Sequence, residues 1–160
     1  MNDSREPRPL VIPDVLTHAE VFDDHTEHFY YSRYWWSGIN VDAALWWKDA
    51  AGKCHFRCVL SQNSIDPVPT REVANREIDC GMFRDLLDKL VDIGILDMHS
   101  QSKARSTAPC DTILSIRLAN GEHNVIRIRG AVPEDKRKWE IADLVMEIAP
   151  ELFPHTRRKP

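Results

Sequence analysis

The sequence predicts an α+β domain in which two β-hairpins are each followed by a helix, in ββαββα order, behind an N-terminal extension. Three observations carry that expectation. Residues 79–96, DCGMFRDLLDKLVDIGIL, place apolar residues at the three- and four-residue steps of one helical face. Residues 39–60 and 111–129 alternate apolar and polar residues on either side of short turn-forming stretches, which is the pattern of paired strands. Residues 133–149 return to helical spacing. Hairpins supply an antiparallel sheet and each helix has one apolar side, so the economical packing puts both helices on one face.

A chain of 160 residues suits one domain, and 42% hydrophobic with 29% charged residues is ordinary for a globular protein. The formal net charge of −4, with basic residues scattered until Arg157, Arg158 and Lys159, argues against a nucleic-acid partner. No run approaches the roughly 20 apolar residues that cross a bilayer, and the first dozen residues lack a secretory pattern. We therefore expect no membrane partner and a cytoplasmic location. Cys54, Cys58, Cys80 and Cys110 are expected to be reduced, behaving as small buried hydrophobes.

Taken in order, residues 1–14 hold Pro7, Pro9 and Pro13 among charges and read as an extended or disordered lead-in, ahead of one domain over 15–153. Thr17 caps an expected helix over about 17–27, and the aromatic run that follows suits a strand over about 28–36. In the first hairpin a four-residue loop, Asp49-Ala50-Ala51-Gly52, sets Trp47 opposite Cys54, Leu45 opposite Phe56 and Ala43 opposite Cys58. That register leaves Asp42, Trp46, Lys53, His55 and Arg57 to solvent. Residues 61–78, with Pro67 and Pro69, form a crossing loop that holds at most an edge strand at 71–78.

The central helix carries Met82, Phe83, Leu86, Leu87, Leu90 and Ile93 inward, between an Asp79 N-cap and a Gly94 C-cap. Residues 97–109 are small, polar and mildly basic, hence a loop. In the second hairpin an Ala119-Asn120-Gly121 loop pairs Leu118 with Glu122, Ile116 with Asn124, Leu114 with Ile126 and Thr112 with Ile128. The far face then carries Arg117, His123, Arg127 and Arg129. Pro133 opens a closing helix with Ile141, Leu144, Val145 and Ile148 inward, Pro150 ends it, and 154–160 is a mobile basic tail.

Chemistry is less legible. There is no G-x-S-x-G, no papain-like cysteine frame, no phosphate loop and no dinucleotide fingerprint, so no cofactor and no catalytic residue are expected. In C-H-F-R-C at 54–58, an extended strand separates the two cysteines by about 13 Å, too far for one tetrahedral ion. Asp24, His25 and His28 would share a direction on a helix, which gives the alternative of a metal-dependent hydrolase. An ordinary charged helix surface explains them more simply, and no metal is expected.

Aromatic crowding is the most unusual feature. Strand alternation forbids the rings of 29–36 and 46–47 from all entering one core, so Tyr31, Tyr34, Trp35, Trp36 and Trp46 are expected to form a binding surface. The competing reading is that the N-terminal extension folds back over them. His99, Lys103 and Arg105 of the polar loop are the second expected contact surface. A third, Arg117, Arg127 and Arg129 beside His123, would suit a partner bearing carboxylates.

The helix ending V-D-I-G-I-L-D-M, the polar loop, P-C-D-T-I-L-S-I-R-L, the hairpin closed by N-G and R-G-A-V-P before the last helix carry a resemblance. Over residues 39–149 the chain resembles the emfourin-type small inhibitors of metalloproteases. The resemblance implies a binder rather than a catalyst. The expected function is a non-catalytic protein-binding domain, an inhibitor or immunity-type protein, with a protein partner. The alternatives are the hydrolase above and a structural subunit of a homo-oligomer.

Overall fold

An aromatic strand, β1 (His28–Trp35), runs through the interior of a six-stranded antiparallel sheet. The structure is a computed structural model that describes residues 26–35, 41–61, 70–103, 110–130 and 132–152. After β1 come β2 (Val41–Lys48), β3 (Cys54–Ser61), β4 (Thr70–Ile78), α1 (Cys80–Ile93), β5 (Cys110–Arg117), β6 (His123–Arg129) and α2 (Arg137–Ile148). The strands lie side by side as β4-β3-β2-β1-β5-β6. The chain order is thus ββββαββα, and the expected ββαββα order is wrong.

Two strands account for the error: β1, expected as a strand over about 28–36 but left in the N-terminal extension, belongs to the sheet, and β4 occupies the segment expected to be a crossing loop with at most an edge strand. β1 pairs with β2 along one edge and β5 along the other, and its successive residues Phe29, Tyr30, Tyr31 and Ser32 are all buried, so it has no apolar–polar alternation that would tie it to one face of the sheet. β4 pairs only with β3 and exposes Glu72, Asn75, Arg76 and Glu77. A charged edge strand discourages pairing with another sheet, and the same polarity makes it look like a loop. The helix expected over 17–27 lies almost wholly outside the described residues.

On one face of the sheet Phe29, Tyr31, Ala44, Trp46, Phe56, Leu114 and Ile126 meet Phe83, Leu86, Leu87 and Leu90 of α1, and Ile141 and Val145 of α2. Both helices are on this side. The second face holds its own buried cluster of Tyr30, Ala43, Leu45, Trp47 and Val59, flanked by Ile113.

The assignment of β2 residues to faces is opposite to the expected one. Lys48, Trp46 and Ala44, rather than Trp47, Leu45 and Ala43, stand opposite Cys54, Phe56 and Cys58. Asp49 causes the shift. Its N–H donates to the Lys53 carbonyl at 2.8 Å, closing a three-residue loop in which Gly52 takes a left-handed φ of 89°. One carboxylate oxygen of Asp49 accepts from Ala51 N–H and Lys53 N–H, both at 2.9 Å, and the other lies 2.7 Å from His55 Nε2. Moving the register by one residue turns every β2 side chain over, which sends Trp46 into the main core and Trp47 to the second face. Arg57, expected in solvent, is buried there too. The second hairpin has the same kind of loop, with Leu118 N–H to Glu122 O at 2.8 Å and Gly121 at φ 93°, and its pairs are those expected.

The His55 contact and the two backbone donors hold the Asp49 carboxyl below its ordinary range. A depressed carboxylate pKa stabilises the fold above the unfolded value, about 3.9, and that contribution disappears as pH falls through the lower folded value. Asp49→Asn should therefore lower the unfolding midpoint at pH 7 and match the natural chain near pH 2. A constant gap between the two proteins across that range in urea titrations would refute the assignment.

α1 follows its expected caps. Asp79 accepts from Met82 N–H at 3.3 Å, and Gly94, at φ 109°, donates to Leu90 O and Val91 O. Met82, expected inward, is exposed. α2 begins four residues after Pro133. Asp135 accepts from the Arg137 backbone at 3.0 Å and grips its guanidinium, while Arg137 NH1 donates to Gly94 O at 3.3 Å, tying the start of α2 to the end of α1.

The cysteines also depart from expectation. Cys54 faces Ile78 across the β3–β4 ladder, Asp79 turns the chain, and Cys80 returns to form a disulfide with Cys54 across a Cα separation of 5.4 Å. Cys58 is a free, buried thiol, pushed up to about 12 chiefly by burial.

Candidate interaction surfaces

The aromatic surface expected from the sequence is largely interior. Tyr31 is 1% exposed and Trp46 4%. Trp46 stacks on Phe29 with ring centroids 5.4 Å apart and meets Phe56 at 4.8 Å. On the second face Trp47 stacks on His55 at 4.9 Å, and burial pushes the Tyr30 phenol up to about 12. Tyr34 and Trp35 belong to β1, where their backbone alone is described, and Trp36 lies outside the described residues.

Of the alternative metal ligands, Asp24 and His25 lie outside the described residues. His28 is buried, with Nδ1 2.8 Å from Thr26 O and Nε2 2.8 Å from Ser115 Oγ. In a neutral ring Nδ1 donates to the carbonyl, which leaves Nε2 to accept from the hydroxyl. Although a hydroxyl beside an imidazole is the opening arrangement of nucleophilic catalysis, both groups are closed off from solvent and serve here as a polar tie between β1 and β5.

His99 and Lys103 are exposed, on the segment that leaves the 3-10 turn Ile95–Asp97. Arg105 lies outside the described residues. This segment is fixed against the free edge of β6: Gln101 N–H donates to Arg127 O at 2.8 Å, Arg129 N–H donates to Gln101 O at 3.0 Å, and Ser100 Oγ accepts from Arg127 N–H at 3.0 Å. The Gln101 side chain then holds three loops together. Its amide nitrogen donates to the carbonyls of Lys103, Arg129 and Val132 at 3.0–3.2 Å, and its oxygen accepts from Glu134 N–H at 2.6 Å. His99, Ser100 and Gln101 line a shallow cleft of about 420 Å³ whose far wall is Glu134, Asp135 and Lys136. Arg137 holds the Asp135 carboxyl below its usual range.

Next to this segment β6 presents a basic strip. His123, Val125, Arg127 and Arg129 alternate outward on the second face, with Arg117 opposite His123 on β5. Val125 is 42% exposed, and Arg127 reaches Asp111 at 3.6 Å while remaining on the surface. The alternation of these side chains was readable from the sequence. Their neighbours His99 and Lys103 were readable only as a separate loop, because the Gln101–Ile128 bridge that joins them to β6 has no local signature.

Comparison with protein-family models and with curated proteins finds no match to this chain.

Proposed function

We propose that the protein is a non-catalytic binding module whose partner is another protein, engaged along the β6 edge. The observation that carries this reading is the exposed strip of Arg127, Arg129 and His123 around Val125, set on a rigid strand and flanked by Lys103 and His99. Guanidinium groups with fixed spacing suit paired carboxylates, and an exposed valine between them offers the apolar contact that a purely electrostatic patch lacks. Such a partner presents an acidic rim around an apolar side chain. An inhibitor of the kind implied by the emfourin-like pattern would be one form of this module, since it needs no catalytic group of its own.

Affinity capture with the whole chain, compared with Arg127→Glu/Arg129→Glu, tests the reading. Charge reversal should lower partner binding at least tenfold, with binding that weakens as salt rises. Equal capture by both proteins would remove β6 as the contact. Light scattering on the same pair identifies the homo-oligomer alternative: a dimer that the substitutions dissolve makes the partner a second copy. Titration against a thermolysin-like protease tests the inhibitor form directly.

A further inference from the structure

A surface with the chemistry required of the β6 partner, carboxylates around an exposed apolar side chain, exists on the same chain. It is the outward face of the helix layer. Asp85, Asp88 and Asp92 recur at steps of three and four along α1, and Glu140, Asp143 and Glu147 recur at the same steps along α2, so each helix carries a row of carboxylates turned away from the sheet. All of them are exposed, and none forms an ion pair among the described residues.

Cations do little to offset them. Arg84 and Lys89 are the exposed bases of α1, Arg137 is held by Asp135, and Lys138 is buried with its ammonium against the Trp139 ring. The apolar contacts are present as well: Val91, one turn from Asp88, is 37% exposed, and Trp139, one turn from Asp143, is 48% exposed.

The strip and the helix face lie on opposite sides of the sheet. His123, Val125, Arg127 and Arg129 point to the second face, whereas α1 and α2 pack on the first. A two-fold pair of molecules would therefore set basic strip on basic strip or carboxylate row on carboxylate row. Only a head-to-tail contact brings opposite charges together, and because it uses a different patch on each molecule, one patch of each kind stays open at the ends.

We infer that the partner of the β6 edge is a second copy of this chain, whose α1–α2 face receives Val125, Arg127 and Arg129, so that molecules join head to tail into open chains. This contact rests on the β6 reading and supplies its other half.

Sedimentation velocity of the whole chain tests it. At low salt the mass should rise with protein concentration, and it should return to the monomer near 1 M salt, where the Debye length is about 3 Å. Asp88→Asn/Asp92→Asn/Asp143→Asn, all at exposed positions, should weaken self-association at least tenfold, and so should Arg127→Glu/Arg129→Glu. An equimolar mixture of the two variants should form a complex of one copy of each and grow no further, since one keeps its strip and the other its helix face. That complex also shows that both variants are folded. A natural chain that stays monomeric up to about 1 mM, where even weak contacts are populated, overturns the inference. Unchanged association of the helix-face variant, or a mixture without the one-to-one complex, overturns it equally. In all three cases the β6 reading survives if Arg127→Glu/Arg129→Glu still abolishes capture of a different protein. Unchanged self-association of the arginine variant removes both.

Discussion

Trp46→Ala should destabilise the protein by about 3–5 kcal/mol, the range for removing a large buried aromatic side chain. The ring is 4% exposed and lies between Phe29 and Phe56, so truncation leaves a void bounded by two rigid rings that cannot collapse into it. Trp139 provides the contrast. It is 48% exposed on α2 with the Lys138 ammonium 4.4 Å from its ring centroid, and Trp139→Ala should change stability by no more than about 0.5 kcal/mol. Urea unfolding of both variants compares them. A loss below about 1 kcal/mol at Trp46 would put the ring in solvent and restore the other hairpin register.

Removal of the Cys54–Cys80 disulfide should cost a comparable amount. The bridge spans 26 residues of sequence, and a loop of that size restrains the unfolded chain by about 3.5 kcal/mol. It also locks the start of α1 to the start of β3, beside the hairpin whose register Asp49 sets. Cys54→Ser/Cys80→Ser should show the loss in full, and the natural chain with a strong reductant should approach the variant. Identical denaturation midpoints with and without reductant would show that the two sulfurs are not bonded in solution. The bond runs against the expectation that all four cysteines are reduced, and a bridge of this kind persists in oxidising surroundings.

Where local physics decides, the sequence was a sufficient guide. Asp79 and Gly94 mark the ends of α1 because capping depends on residues within one turn, and Gly121 sets the second hairpin because only one loop length kept Leu114 and Ile126 together. Asn120-Gly121 and Asp49 through Lys53 form the same kind of turn, yet the first hairpin was misread. Either register there gives one continuous apolar face, since β2 is apolar on both sides, so the pattern could not choose and a side-chain acceptor did. β4 was legible as no more than an optional edge strand at 71–78, because an edge strand needs no apolar residues to pair. Among the site residues, Tyr31 and Trp46 were assigned to the surface on the premise that one interior could not hold every ring; a sheet buried on both faces has two. His99 and Lys103 are on the surface, but the Gln101 clamp that orders their segment involves contacts about 30 residues away and was invisible.

β1 joins two groups of strands that are made at very different times. Its contacts with β2 form from neighbouring sequence, whereas the His28–Ser115 tie to β5 connects residues 87 apart. A ribosome therefore releases four strands and α1 before the partner for β1's other edge exists. Until β5 is synthesised, a row of unpaired amides and aromatic side chains stands open along that strand, the kind of surface that invites chaperones or aggregation. Closing that seam is the high-contact-order step, and it sets the pace at which this sheet is completed.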